Sequence, residues 1–212
     1  VSGSQRFGSG AKLKQEVSAE LAALFAFSAL HNSDKVGLLL FSDKIELFVP
    51  PKKGKKHILR LIRELVAFEP KSRGTDIGLC LETLSKVIKR QGILILISDF
   101  LAPAASFSKP FKLAAKKFDL IPVLVQDKSE LALPSLPVCL DVTDPETGEN
   151  DFLCLASAEL NAALADTART RTQNLKALFN PFKIEPIVVD TAYPTADPVI
   201  EFFKQRAKKI RR

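Results

Sequence analysis

Hydrophobic positions along the chain follow two alternating patterns. Leu13, Val17, Leu21, Leu24, Phe25 and Ser28 recur at three- and four-residue spacing, predicting a helix over residues 11–32. Between 21 and 30 this segment is apolar nearly all round, so it is expected to be covered on most sides. Residues 36–41 form a continuous apolar run, as in a strand buried on both faces. Ser42-Asp43-Lys44 then turns into an alternating strand over 45–49, giving a hairpin that Pro50-Pro51 should stop. A helix follows over 56–68. Another opens at Thr75, read as its N-cap, and carries Ile77, Cys80, Leu81, Leu84, Val87 and Ile88 as its stripe. Two more doubly buried strands, 93–97 and 120–125, flank a short helix near 111–117. A second hairpin is expected from 138–142 and 152–155, around Asp144-Pro145-Glu146-Thr147-Gly148. Ser157 caps a long helix to 179, residues 184–190 form a last strand, and Pro198 opens a terminal helix with Ile200, Phe203, Ala207 and Ile210 inward.

Strands that alternate with helices of this length specify an α/β fold: an open, mostly parallel sheet with helices on both faces and one antiparallel hairpin strand. The whole chain, 1–212, reads as one domain, with 128–212 extending the unit formed by 1–127. In open α/β sheets ligands bind beyond the carboxyl ends of the strands. The places to look for chemistry are therefore residues 1–10, Ser42-Asp43, 73–76, 98–100 and 126–128.

Composition narrows the functional classes. At 46% apolar residues the chain is not of the disordered type. No apolar run approaches the ~18 residues of a membrane span, and the first residues do not read as a secretory signal. The net charge of +7 is concentrated: residues 52–63 carry +6 and 201–212 carry +5, leaving the rest at −4. Two basic patches on an acidic body suit docking to an acidic partner, with Lys52, Lys53, Lys55 and Lys56 as the contact. The other reading is a nucleic-acid-associated module using the basic loop 52–63 and the basic tail 204–212. It is the weaker of the two, because stacking aromatics are scarce: one Tyr and no Trp. Cys80, Cys139 and Cys154 form no CxxC pair, so they read as free thiols of a reducing, cytoplasmic compartment.

The strand ends carry a set of hard oxygen donors. Ser2 and Ser4 stand two apart, Thr75-Asp76 opens a helix, and Asp99 closes a strand. Hydroxyls and a carboxylate from separate loops suit Mg²⁺ or Mn²⁺, which keep several waters and need few protein ligands. Taken singly, each residue could instead be a loop or cap residue. Other chemistries fit less well. The Walker order fails because Gly8 is followed by Ser9, GxSxG is absent, and neither His31 nor His57 is placed as a general base. A metal-dependent hydrolase would need a base that the sequence does not offer.

This constellation resembles the metal-ion-dependent adhesion site of von Willebrand factor A-type domains: DxSxS after a first strand, a Thr on a second loop and an Asp on a third. More narrowly, the chain is similar to the bacterial family called domain of unknown function fifty-eight. The likeness rests on Val1-Ser2-Gly3-Ser4, Lys35-Val36-Gly37-Leu38-Leu39-Leu40-Phe41, Gly74-Thr75-Asp76-Ile77-Gly78, Ile97-Ser98-Asp99-Phe100, Glu146-Thr147-Gly148-Glu149 and Phe202-Phe203. The resemblance implies a Rossmann-like sheet and a metal bound by Ser2, Ser4, Thr75 and Asp99, with Asp76 as a possible auxiliary ligand. It also implies a non-enzymatic protein–protein interaction module, working with a MoxR-type AAA+ ATPase in protein assembly or maturation. A partner or client would supply an acidic residue as the final metal ligand. One departure is plain: the Asp of DxSxS would precede Val1. With no Met in the chain, the expectation is that the first, central strand is missing here, that metal binding is weak or absent as a result, and that the sheet keeps a vacant slot or exchanges a strand.

Overall fold

The computed structural model describes residues 13–70, 72, 74–127, 139–143, 150–154 and 157–210. In chain order the elements are α1 (Lys14–His31), β1 (Val36–Phe41), β2 (Ile45–Lys52), α2 (Lys55–Val66), α3 (Ile77–Val87), β3 (Ile93–Ser98), α4 (Ala104–Lys117) and β4 (Asp119–Gln126). Then come β5 (Cys139–Thr143), β6 (Asn150–Cys154), α5 (Ala158–Phe179), a 3-10 turn at Asn180–Phe182, β7 (Ile187–Asp190) and α6 (Ala196–Ile210).

The expected parallel sheet is β3–β4–β7, with both neighbour pairs parallel. Alternation along its strands separates two apolar faces. Leu94, Leu96, Leu120 and Leu124 face one cluster, built with Ile77 and Leu81 of α3, Phe107 and Phe111 of α4, and Leu175, Leu178 and Phe179 of α5. Ile95, Ile97, Ile121, Val123 and Val125 face the other, with Val17 and Leu21 of α1 and Val199 of α6. Helices therefore cover both faces. β1 and β2 pair antiparallel as a separate sheet, as do β5 and β6. α1 packs against both β1 and β3, and among the described residues those two strands form no ladder with each other.

This placement explains the unusual composition of α1. One side meets the parallel sheet. Ala26 and Leu30 join Val36, Leu38, Val49, Ile58 and Leu61 in a third cluster beneath the hairpin and α2. Phe27 remains half exposed, so the cover is broad and incomplete.

Several boundaries differ from the sequence reading. β2 runs through Pro50-Pro51 to Lys52, because among the described residues it has one neighbour, β1, and an edge position tolerates a missing N–H. The stretch carrying Lys52, Lys53, Lys55 and Lys56 is therefore a strand end, a turn and a helix start, and all four lysines are exposed. α4 begins seven residues earlier than expected and contains Pro110. Proline cannot bond the Ser106 carbonyl four residues back. That carbonyl faces α3 where Gly78 has no side chain, 3.5 Å from where a Cβ would lie. α6 buries Val199, Phe202 and Arg206 to varying degrees, whereas Ile200, Phe203 and Ala207 are exposed. Arg206 in the inner row, paired with Asp119, hid this face from a purely apolar count. His57, which lies next to Lys55 and Lys56 in the sequence, is half buried with Nε2 2.8 Å from the Val36 carbonyl oxygen. The β5–β6 register sets Cys139 opposite Cys154, although the two are distant in sequence.

Three tests follow from these contacts. A Cβ at Gly37 would lie 2.9 Å from the Val49 carbonyl oxygen and 3.0 Å from the Pro51 ring, whereas one at Gly92 meets nothing within 4 Å. Urea unfolding should show Gly37→Ala destabilised by about 1–3 kcal/mol, with Gly92→Ala within about 0.5 kcal/mol of the parent. The N-cap of α3 is Asp76, whose carboxylate accepts the Leu79 N–H at 2.8 Å, and not Thr75 as the sequence suggested. Asp76→Ala should accordingly cost about 0.5–2 kcal/mol in the same assay, with a smaller loss for Thr75→Ala. Burial pushes the Cys80 thiol up to about 12. At pH 8 it is therefore neutral, and iodoacetamide followed by peptide mass spectrometry should modify it in urea and spare it in the folded chain.

Candidate functional site

Two chain reversals are tied together beyond the carboxyl end of β1, and a third follows β3. After β1, the Ser42 carbonyl accepts the Asp76 N–H at 2.8 Å, tying the hairpin turn to the residue that starts α3. Gly74 approaches the Asp43 side chain in the same place. Gly78 of α3 lies against Ser106 and Pro110 of α4, and α4 begins five residues after Asp99. Phe41, Ile77 and Phe100, each adjoining one of the reversals, share a single apolar cluster. The loops bearing Thr75 and Asp99 thus each adjoin a residue of the same apolar cluster. Ser2 and Ser4 lie outside the described residues.

Asp99 is held in an unusual turn. Its successor Phe100 has φ of 51°, a left-handed conformation that costs a bulky L-residue roughly 1–3 kcal/mol. Two features hold it there. The Ser98 hydroxyl oxygen accepts the Phe100 N–H at 3.1 Å, and the ring is buried against Phe107 and Phe179 with centroids 6.0 and 6.1 Å away. The reversal leaves the carboxylate of Asp99 3% exposed at the end of β3. Its Oδ1 accepts the Leu101 N–H at 3.3 Å. Its Oδ2 has no hydrogen-bond partner, and Lys14 Nζ stands 3.5 Å away. That separation makes an ion pair but is longer than the ~2.7–2.9 Å of a charge-assisted hydrogen bond.

Lys14 was missed by the sequence reading. It is the first residue of α1 and is completely buried. The available signal was its register: Lys14, Val17 and Leu21 are spaced by three and four, so the lysine belongs to the same inward row. A second buried polar pair, also missed, closes the neighbouring strand ends. Thr191 after β7 donates its hydroxyl to Asp127 Oδ2 at 2.5 Å, and its N–H bonds the Gln126 carbonyl. An open cleft of about 410 Å³ adjoins the Asp99 turn, between Leu101–Ala104 and the α5 residues Asp166, Thr170, Arg171 and Asn174.

A buried carboxylate oxygen without a hydrogen-bond donor is chemically suited to a hard cation. Among the described residues no three His, Cys, Asp or Glu side chains gather into a cage. A divalent ion at Asp99 would therefore depend on hydroxyls and water for its other ligands. Thr75 is half buried and, with Asp76 serving as the cap, its hydroxyl is not committed to starting α3. Asp76 is exposed and already accepts the Leu79 N–H, which weakens its expected auxiliary part. The basic tail is partly neutralised at home: Arg206 pairs with Asp119, and Lys209 with Glu185 at 2.7 Å. No helix among the described residues is long and apolar enough to cross a membrane.

Comparison with known proteins agrees with this architecture. Among solved structures, the conserved hypothetical protein BatB from Bacteroides thetaiotaomicron superposes with a TM-score of 0.57 at 14% identity, covering 99% of this chain and 94% of that one. At that identity the likeness concerns fold alone. Uncharacterized protein Mb1516 of Mycobacterium bovis and uncharacterized protein Rv1480 of Mycobacterium tuberculosis are each 24% identical over 183 residues. The match takes in 80% of this chain and 56% of each relative, so the chain spans little more than half their length. The family described as "Protein of unknown function DUF58" matches residues 1–174, and the chain belongs to that family.

Proposed function

We propose that this chain is a non-enzymatic, cytoplasmic protein–protein interaction module of the von Willebrand A type. Its recognition site lies at the carboxyl end of the sheets. The observation that carries the reading is the buried Asp99 Oδ2, which lacks a hydrogen-bond donor at the end of β3. Lys14 Nζ balances its charge from 3.5 Å without hydrogen-bonding the oxygen, so Oδ2 keeps the capacity to ligate a hard cation. Mg²⁺ or Mn²⁺ held by Asp99, Thr75, Ser2 and Ser4, directly or through water, would keep a coordination position for a carboxylate from another protein. Recognition would then be coupled to the metal.

The partner best suited by the family resemblance is a MoxR-type AAA+ ATPase, acting with this module in assembly or maturation of client proteins. The exposed row Lys52, Lys53, Lys55 and Lys56 offers an acidic partner a complementary surface away from internal ion pairs. The nucleic-acid reading loses ground because Arg206 and Lys209 of the tail are already engaged with Asp119 and Glu185.

Binding of the purified protein to a MoxR-type ATPase, followed by biolayer interferometry, separates these readings. With Mg²⁺ present, Asp99→Asn and Thr75→Ala should each weaken the complex at least about tenfold, or ~1.4 kcal/mol, and chelator should abolish it. Binding that ignores chelator and Asp99 would overturn the metal-bridged reading. Affinity for duplex DNA that falls steeply with salt would favour the nucleic-acid alternative.

A further inference from the structure

We infer that Lys14 is a built-in competitor for the candidate cation site: its ammonium neutralises Asp99 in the resting chain, and a divalent ion binds by displacing it. The inference rests on the metal-site reading above and adds a regulatory step to it.

Two costs make the position of Lys14 informative. Burying an ammonium costs several kcal/mol unless it is paired. The first turn of a helix also carries the positive end of the helix dipole, which disfavours a cation. Lys14 is nevertheless the first residue of α1 and 0% exposed, with its ammonium 3.5 Å from a carboxylate that is itself 3% exposed. Such an arrangement balances charge, so Asp99 is satisfied electrostatically before any ion arrives. It does not saturate the oxygen, because Oδ2 accepts no hydrogen bond. The pair balances in charge, and Oδ2 keeps its capacity for a further ligand.

A Mg²⁺ ion takes a carboxylate oxygen at about 2.0–2.1 Å. With the ammonium still in place, two cations would crowd one low-dielectric pocket, where repulsion is far stronger than in water. The lysine must therefore swing away on its four-carbon stem. Because it sits in the opening turn of α1, ion entry is coupled to that turn, and α1 spans both the hairpin and the parallel sheet. Removing the lysine charge leaves Asp99 as an unpaired buried anion and should raise cation affinity.

The test is Mn²⁺ titration, followed by electron paramagnetic resonance, of the parent, Lys14→Met, Asp99→Asn and the double variant. Lys14→Met should bind one Mn²⁺ at least tenfold more tightly than the parent, and Asp99→Asn should abolish binding in either background. Equal, Asp99-dependent affinities in parent and Lys14→Met would overturn the competition while leaving the metal reading intact. No Asp99-dependent binding in any variant would overturn both. If Lys14→Met fails to fold by circular dichroism, hydrogen exchange of the parent decides. Saturating Mn²⁺ should then increase exchange in the first turn of α1, and bound Mn²⁺ with unchanged exchange there refutes displacement.

Discussion

The organisation of the molecule turns on one buried charge at the end of β3. Burying a carboxylate to 3% exposure is costly unless a compensating cation lies nearby. The chain supplies one from 85 residues away, by burying the first side chain of α1 beside it. That pair joins the helix covering one face of the parallel sheet to the strand that leads into the helices covering the other face. A sheet coated on both sides needs its layers registered, and a charge pair in low dielectric does this with more directional preference than apolar packing can. The strained Phe100 belongs to the same device. It turns the chain so that Asp99 points inward while its own ring fills the opposite cluster.

Most of the framework could be read from one-dimensional pattern because its physics is local. The runs at 93–97 and 120–125 became β3 and β4, which have apolar clusters on both faces and so no polar row to interrupt them, while the run at 36–41 became β1 with only Leu40 fully buried. In the α3 stripe Ile77, Cys80 and Leu81 are buried as expected, whereas Val87 is 48% exposed and Ile88 lies just past the helix end. Where the reading slipped, a nonlocal partner had changed the rule. The short helix expected near 111–117 continues upstream through Pro110, and the Ser106 carbonyl that this proline frees lies against Gly78 on another helix. Pro50 and Pro51 suggested a stop, yet an outer strand loses nothing by their missing donors. The inner face of α6 was assigned one position off because an arginine occupies it.

The candidate site divides along the same line. Asp99 and Thr75 could be picked out because strand ends and helix starts are legible in sequence, and ligands of open α/β sheets bind beyond strand ends. Lys14 could not be assigned a role from composition, since a lysine among Lys12, Gln15 and Glu16 reads as solvated. Its periodic register with Val17 and Leu21 was the only hint, and register alone does not reveal a partner 85 residues distant. The cap was misassigned by one residue for a related reason. Thr and Asp are both good caps, and sequence cannot decide between adjacent candidates when the backbone hydrogen bond from Asp76 to Ser42 fixes which one faces the helix.

The two basic patches show how three-dimensional context reverses an inference from net charge. In sequence the tail and the 52–63 segment are equivalent accumulations of lysine and arginine. In the folded chain the tail helix spends part of its charge on Asp119 and Glu185, residues of the acidic body that flanks it. Exposed pairs of this kind contribute little to stability, on the order of 0–1 kcal/mol, but they reduce the positive potential available to a ligand. Lys52, Lys53, Lys55 and Lys56 lie exposed where an edge strand hands over to a helix. Long-range attraction of an acidic surface would therefore act mainly through the hairpin side, while Asp99 sits buried at the carboxyl end of the parallel sheet. On the proposed reading, steering and final recognition would fall to different parts of the fold, and a partner using both would have to present acidic groups at two points.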